Sequence, residues 1–467
     1  MTTRDPGAPE DAGVTTTGQR GSLVALTTGT VVLGACNYLY LALVGNVVGV
    51  VASVPVSVLW TMMAGIAVGL FQPVEQMLSR GIARDHDLGR SARPVVRRTL
   101  GFAGALLAVA LVVLLVAARP IGQVLFSGET AFVGLFAVGL VASTVLFAVR
   151  GVLAGTGRFR RYGAELTAEG LLKVAGVGAL ALGGVTDPRL LGVVLVVSPL
   201  IAAGLSLVGL RRRPARSGPG EAAAGQVGVP ARATPLSGDL VALGALTTGS
   251  LLLQLFVNVG VVLAQLSVGG TATAYTASLV AALAVARVPL FLFNAVQSLL
   301  LTRFTLDARR GRFRALTRAL AGWNALVLGL GVVWVVLIWL TGGVVLAWFG
   351  EGYDIPSGQL VLLAVSCVLQ IVTMVLTQAV LAFHRERVAT LVWPVGLVVL
   401  LGVFGLSSAD LGTSLAAAMV AGTAATTLAA TAAVAWSIRR AAARPGEPSL
   451  EAPEHDGAVA APVVEQP

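Results

Sequence analysis

Apolar positions along the chain fall into long, nearly unbroken blocks separated by short polar runs. About 20 consecutive apolar residues carry a helix across a bilayer core, and only helices or closed barrels satisfy the backbone there. Twelve spans are predicted, near residues 22–44, 51–77, 99–118, 130–152, 164–184, 189–210, 239–267, 275–301, 319–341, 358–383, 388–407 and 411–437. Residues 1–20 are polar and Gly/Pro/Thr-rich and predict a disordered tail. A Pro/Gly/Ala-rich linker occupies 212–237, and residues 439–467 form a second Pro-rich tail. The chain therefore reads as an all-α integral membrane protein with a first six-helix bundle at 21–211 and a second at 238–438. The first span lacks a compact basic n-region and a cleavage site, so it is expected to be retained as a helix.

Composition strengthens this picture. Of 467 residues, 56% are hydrophobic and 12% charged, whereas soluble domains carry about 25% charged residues. The net charge of +10 would suit nucleic acid, but its cations lie in clusters between spans, as the positive-inside rule requires of cytoplasmic loops. Arg80, Arg84, Arg90, Arg93, Arg97 and Arg98 follow span two, and Arg150, Arg158, Arg160 and Arg161 follow span four. Arg211, Arg212, Arg213, Arg216 and Arg232 mark the linker, Arg303 to Arg318 the loop after span eight, and Arg385 and Arg387 the loop after span ten. The alternate loops hold Arg119 and Arg189 beside acidic Glu129, Asp187, Glu351, Asp354 and Asp410. Both termini are thus expected in the cytoplasm, with the spans in the cell membrane.

The two halves repeat. Leu26-Thr27-Thr28-Gly29-Thr30 opens span one and Leu246-Thr247-Thr248-Gly249-Ser250 opens span seven. Leu78-Ser79-Arg80 ends span two and Leu301-Thr302-Arg303 ends span eight, while Gly128-Glu129 and Gly350-Glu351 sit in the loops after spans three and nine. Six spans return the chain to its starting side, so the repeats are parallel. Transporters are commonly built this way, with a substrate site between the halves.

An ionisable group at mid-bilayer costs at least about 2.5–3.5 kcal/mol and normally faces a cavity or a partner. Lys173 lies halfway along span five and Arg287 near the centre of span eight, two residues before Pro289. Either the two cations, one from each half, hold a phosphate or diphosphate, or Glu169 neutralises Lys173 while Arg287 pairs with Glu75 or Glu169. Glu165, Glu169 and Lys173 share one helix face. Glu165 and Glu75 are expected to reach water at the interface. Asn37 and Asn258, at matching places in spans one and seven, and Asn294 either line a cleft or make interhelical hydrogen bonds. Pro289 is the candidate hinge, with a static kink as the alternative. Cys36 and Cys367 show no metal or disulfide pattern, and His86, His384 and His455 fall outside the spans without ligand spacing. No phosphate-binding loop or nucleophile motif occurs. No metal, cofactor or enzymatic activity is therefore expected, and no nucleic-acid partner.

Two families share this organisation. Gly81 to Arg90 is near the span-two loop motif of the major facilitator superfamily but one residue too long. Gln72-Pro73-Val74-Glu75-Gln76-Met77-Leu78-Ser79-Arg80, the run Arg150-Gly151-Val152-Leu153-Ala154-Gly155-Thr156-Gly157-Arg158 leading into span five, and Arg287-Val288-Pro289-Leu290-Phe291-Leu292-Phe293-Asn294 resemble the polysaccharide-flippase branch of the multidrug/oligosaccharidyl-lipid/polysaccharide (MOP) exporter superfamily. The resemblance covers roughly 22–437. It implies a flippase for a polyprenyl-diphosphate-linked saccharide, working by alternating access, in contact with membrane lipids and with a polysaccharide polymerase or glycosyltransferases as partners. The alternatives are an ion-coupled multidrug exporter and a non-transport scaffold for glycosyltransferases.

Overall fold

The structure, a computed structural model, describes residues 14–211, 236–383 and 385–443. His384, His455 and most of the expected linker and tails lie outside the described residues. The described chain is helical, and no strand occurs among its described residues. The first half comprises α1 (Val14–Val48), α2 (Val54–Met62), α3 (Val68–Asp87), α4 (Arg93–Val116), the short α5 (Ala118–Val124), α6 (Ala131–Gly155), α7 (Phe159–Leu182) and α8 (Pro188–Arg211). A π-turn, Met63–Ala67, joins α2 to α3 without interrupting the helix. The second half comprises α9 (Leu236–Ser267), α10 (Ala274–Ala286), α11 (Val288–Arg309), α12 (Phe313–Ala347), α13 (Ser357–Ala382), α14 (Glu386–Leu406) and α15 (Leu411–Ala442).

Among the described residues, ten helical segments are long and apolar enough to cross a membrane. The other two predicted spans are present as helix but fail that test for separate reasons. Every membrane-length window of α7 contains Glu165, Glu169 and Lys173. Span eight is broken at Arg287 into α10 and α11. Several predicted boundaries shift outward: α1 begins within the expected tail, α9 within the expected linker, and α4 takes in Arg93, Arg97 and Arg98. Hydropathy marks only the segment inside hydrocarbon, whereas a helix keeps its hydrogen bonds beyond it.

Within the first half α1 packs on α7 and α3 on α6; within the second, α15 packs on α13 and α14. The halves meet mainly where α3 and the π-turn lie against α9, and where α1 touches α10 and α11. Tyr40, Phe71, Phe126, Phe132 and Phe304 are fully buried. The outer helices reverse the soluble pattern: Val109, Val112, Leu115 and Val116 on α4, and Leu330, Val332, Val333 and Leu340 on α12, are exposed. Apolar surface this continuous matches lipid, not water.

Candidate functional site: two buried cations beside the first helix

Backbone contact between α1 and α7 sets the first part of the site. Gly29 faces the backbone of Gly163, and Gly170 faces Cys36 and Leu33. A side chain at these glycines would force the helices apart. That closeness brings Lys173 of α7 to Asn37 of α1: Lys173 Nζ donates to Asn37 Oδ1 at 3.0 Å and to Glu169 Oε1 at 2.6 Å. Glu169 also accepts from Arg150 Nη2 at 2.5 Å. The same guanidinium donates to both oxygens of Glu165, from Nε at 2.8 Å and from Nη2 at 3.2 Å. Its cationic carbon stands 5.7 Å from the Phe147 ring centre and 5.9 Å from that of Tyr162. The Tyr162 hydroxyl donates to Glu75 Oε1 at 2.5 Å.

These contacts correct two expectations. Arg150, counted with the cytoplasmic loop, is 7% exposed inside α6 and is the centre of the network. Glu165, expected at the interface, is 1% exposed. Two carboxylates facing a single lysine on one helix stripe was the sequence signal that a second cation was required. With Glu75 the group sets three carboxyl groups against two cations.

The second part is built at the broken span. Pro289, expected as the hinge, occupies the second position of α11, and the break falls at Arg287. Proline has no N–H to continue the ladder. Leu290 N turns to Arg287 O at 2.9 Å, and Trp334 of α12 donates its indole N–H to the released Ala286 carbonyl at 3.3 Å. Arg287 is 8% exposed. It donates from Nη1 to Asn258 Oδ1 at 3.3 Å and from Nη2 to the Val257 carbonyl. Among the described residues no carboxylate lies within ion-pair distance of it, so pairing with Glu75 or Glu169 does not occur. Gly65 of the π-turn approaches the Asn258 amide across the interface between the halves.

Asn37 and Asn258 therefore do equivalent work, each holding the deep cation of its own half. α1 packs on α7, which carries Lys173, and touches α10 and α11, whose junction is Arg287, so α1 runs between the two cations. The Asn294 side chain lies outside the described residues. No group of three or more His, Cys, Asp or Glu able to hold a metal occurs among the described residues.

The sequence matches no protein-family model and no curated protein. Solved structures do match. The chain is similar to the inward-facing conformation of a multidrug resistance MATE family transporter of the MOP superfamily, with TM-score 0.61, 14% identity and coverage of 90% of this chain and 94% of that one. It is also similar to an outward-facing conformation of such a transporter, with TM-score 0.62, 16% identity and coverage of 90% and 96%. A mutant of the Vibrio cholerae MATE transporter VcmN matches with TM-score 0.61, 16% identity and coverage of 92% and 98%. At these identities the likeness establishes the fold: this chain has the fold of MATE transporters of the MOP superfamily.

Proposed function

We propose that the chain is a membrane transporter of the MOP type, and specifically a flippase carrying a polyprenyl-diphosphate-linked saccharide across the cell membrane by alternating access. One observation carries the anionic substrate: among the described residues, Arg287 is a buried cation held by neutral oxygens and by no carboxylate. A buried charge is costly unless paired. A diphosphate entering between the halves supplies that pair through the guanidinium donors that Asn258 and Val257 leave unused. The lipid tail would stay in the bilayer while the halves rock about the α1 and α3 contacts, with Arg287 and Pro289 as the flexing joint. The arginine-rich loops support cytoplasmic termini, and a glycosyltransferase or polymerase would act on either side of the step.

A second reading is supported by the Glu75, Glu165 and Glu169 group. It holds one carboxyl group more than the two cations, Arg150 and Lys173, can each match, which suits a proton or monovalent cation, as an ion-coupled exporter requires. Proteoliposomes loaded with a labelled lipid-linked oligosaccharide test the choice. Translocation is expected; its absence together with cation-driven efflux of drugs would replace the flippase by the exporter.

A further inference from the structure

The face opposite the arginine-rich loops is closed at two places, and the repeat relates them. At the first, Asn46 Nδ2 of α1 donates to the Trp348 carbonyl at 2.8 Å, and the Ser53 and Tyr353 hydroxyls meet at 2.7 Å. Gly45 lies against the Phe349 carbonyl, and Gly350, at φ +125°, lies against Gly45. At the second, Gln265 Nε2 of α9 donates to Ser127 Oγ at 3.1 Å, and Gly270 lies against Gln123 and Val124. Asn46 stands two residues before the end of α1 and Gln265 two residues before the end of α9. Each amide reaches the turn between the third and fourth spans of the other half. These are the turns that hold the repeated Gly128-Glu129 and Gly350-Glu351, and both glycines have positive φ, +85° and +125°.

We infer that these contacts are a paired latch, two copies of one device related by the pseudo-two-fold axis, that seals this face and must open at both places in each transport cycle. Because each copy joins the two halves, rocking one half against the other about an axis in the membrane plane cannot open one and leave its equivalent shut. Hydrogen bonds from side chains to a turn's carbonyl or hydroxyl groups suit a latch better than apolar packing does, because water replaces them when the face opens. The inference rests on the transporter reading above.

The native Cys36 and Cys367 are buried, so cysteine pairs can be added to the natural chain. Ser53→Cys with Tyr353→Cys, and Ser127→Cys with Gln265→Cys, are linked by a cleavable bifunctional thiol reagent in proteoliposomes, with single-cysteine variants as controls. Linking either pair alone is expected to slow translocation of the labelled lipid-linked oligosaccharide by about tenfold or more, and reductant to restore it. Translocation within about twofold of the unlinked protein after complete linking would overturn the latch. Absence of translocation in the wild-type protein would instead overturn the flippase reading, which the spin-label test below does not need. Spin labels at the same positions then test the latch by themselves. Both distances lengthening in the same population supports it, and a population with one pair apart and the other closed refutes it.

Discussion

Arg150→Met tests whether the first bundle is organised around a buried charge network. The guanidinium and its two carboxylate partners are 8%, 0% and 7% exposed at the side chain, so water screens little of the interaction. Removing one partner of a buried pair costs about 3–5 kcal/mol, mostly from the charge left behind. Arg150 serves two carboxylates, which argues for the upper end. A membrane chain finds substitute partners when unfolded, which argues for the lower. We therefore expect a loss of about 3 kcal/mol. Glu169 keeps Lys173 at 2.6 Å, so Glu165 bears most of the loss. Arg150→Met combined with Glu165→Gln removes one charge of each sign and should recover most of the stability, giving a coupling energy of about 2 kcal/mol in the double-mutant cycle. Unfolding of the purified protein in nanodiscs, followed by thermal and denaturant titration, measures all four proteins. A single variant within about 1 kcal/mol of wild type, or a double variant no better than the single, would refute the reasoning.

Arg287→Ala should leave membrane insertion normal and abolish transport in proteoliposomes, while Arg287→Lys, which loses the planar fork, should reduce transport by about tenfold or more. Asn258→Asp places a carboxylate against Arg287; transport of an anionic substrate should fall about tenfold or more while thermal stability holds or rises. Trp334→Phe removes the donor to the Ala286 carbonyl and should cost about 1 kcal/mol on thermal unfolding. Asp410 caps α15 by accepting from Thr413 N at 3.0 Å. Backbone donation by Thr413 holds its carboxyl below the ordinary aspartate range. A lowered folded-state value stabilises above the ordinary value of about 3.9 and is lost as pH falls below it. The stability gap between wild type and Asp410→Ala, read by thermal unfolding, should therefore be present at pH 7 and close in acid.

The fold was legible to the extent that hydrocarbon constrains sequence. Twelve apolar blocks and the repeated Leu-Thr-Thr-Gly segments in α1 and α9 come directly from residue order, because a bilayer imposes length and an inherited repeat preserves spacing. The site was legible only in part. Lys173, Glu169, Asn37, Asn258 and Arg287 are visible because a polar residue inside an apolar block is exceptional. Arg150 was hidden because it lies near the end of its span, where an arginine ordinarily belongs to a loop; its burial depends on how α6 packs against α3 and α7. The π-turn at Met63–Ala67 left no mark on the periodicity of a block apolar on every face. The break at Arg287 was marked by Pro289, but the residue that carries it was not, because the turn of Leu290 N to the Arg287 carbonyl and the pairing of Trp334 with Ala286 show where the ladder opens.

The duplicated architecture also gives the two deep cations different surroundings. Each half holds its cation with an asparagine from its first helix, so the scaffold is shared. What differs is the neutralising charge. The first half surrounds Lys173 and Arg150 with three carboxylates and has no need of an anion from outside. The second surrounds Arg287 with an amide and a backbone carbonyl, which orient the guanidinium without cancelling it. An anionic headgroup would gain little from the first half and much from the second, whereas a proton or monovalent cation would gain only from the first. The substrate proposal therefore rests on Arg287 alone and the coupling alternative on Glu75, Glu165 and Glu169. Asn258→Asp separates them because it supplies in the second half the negative charge that the first already has: an anion carrier would fail, and an exporter driven from the first half would continue.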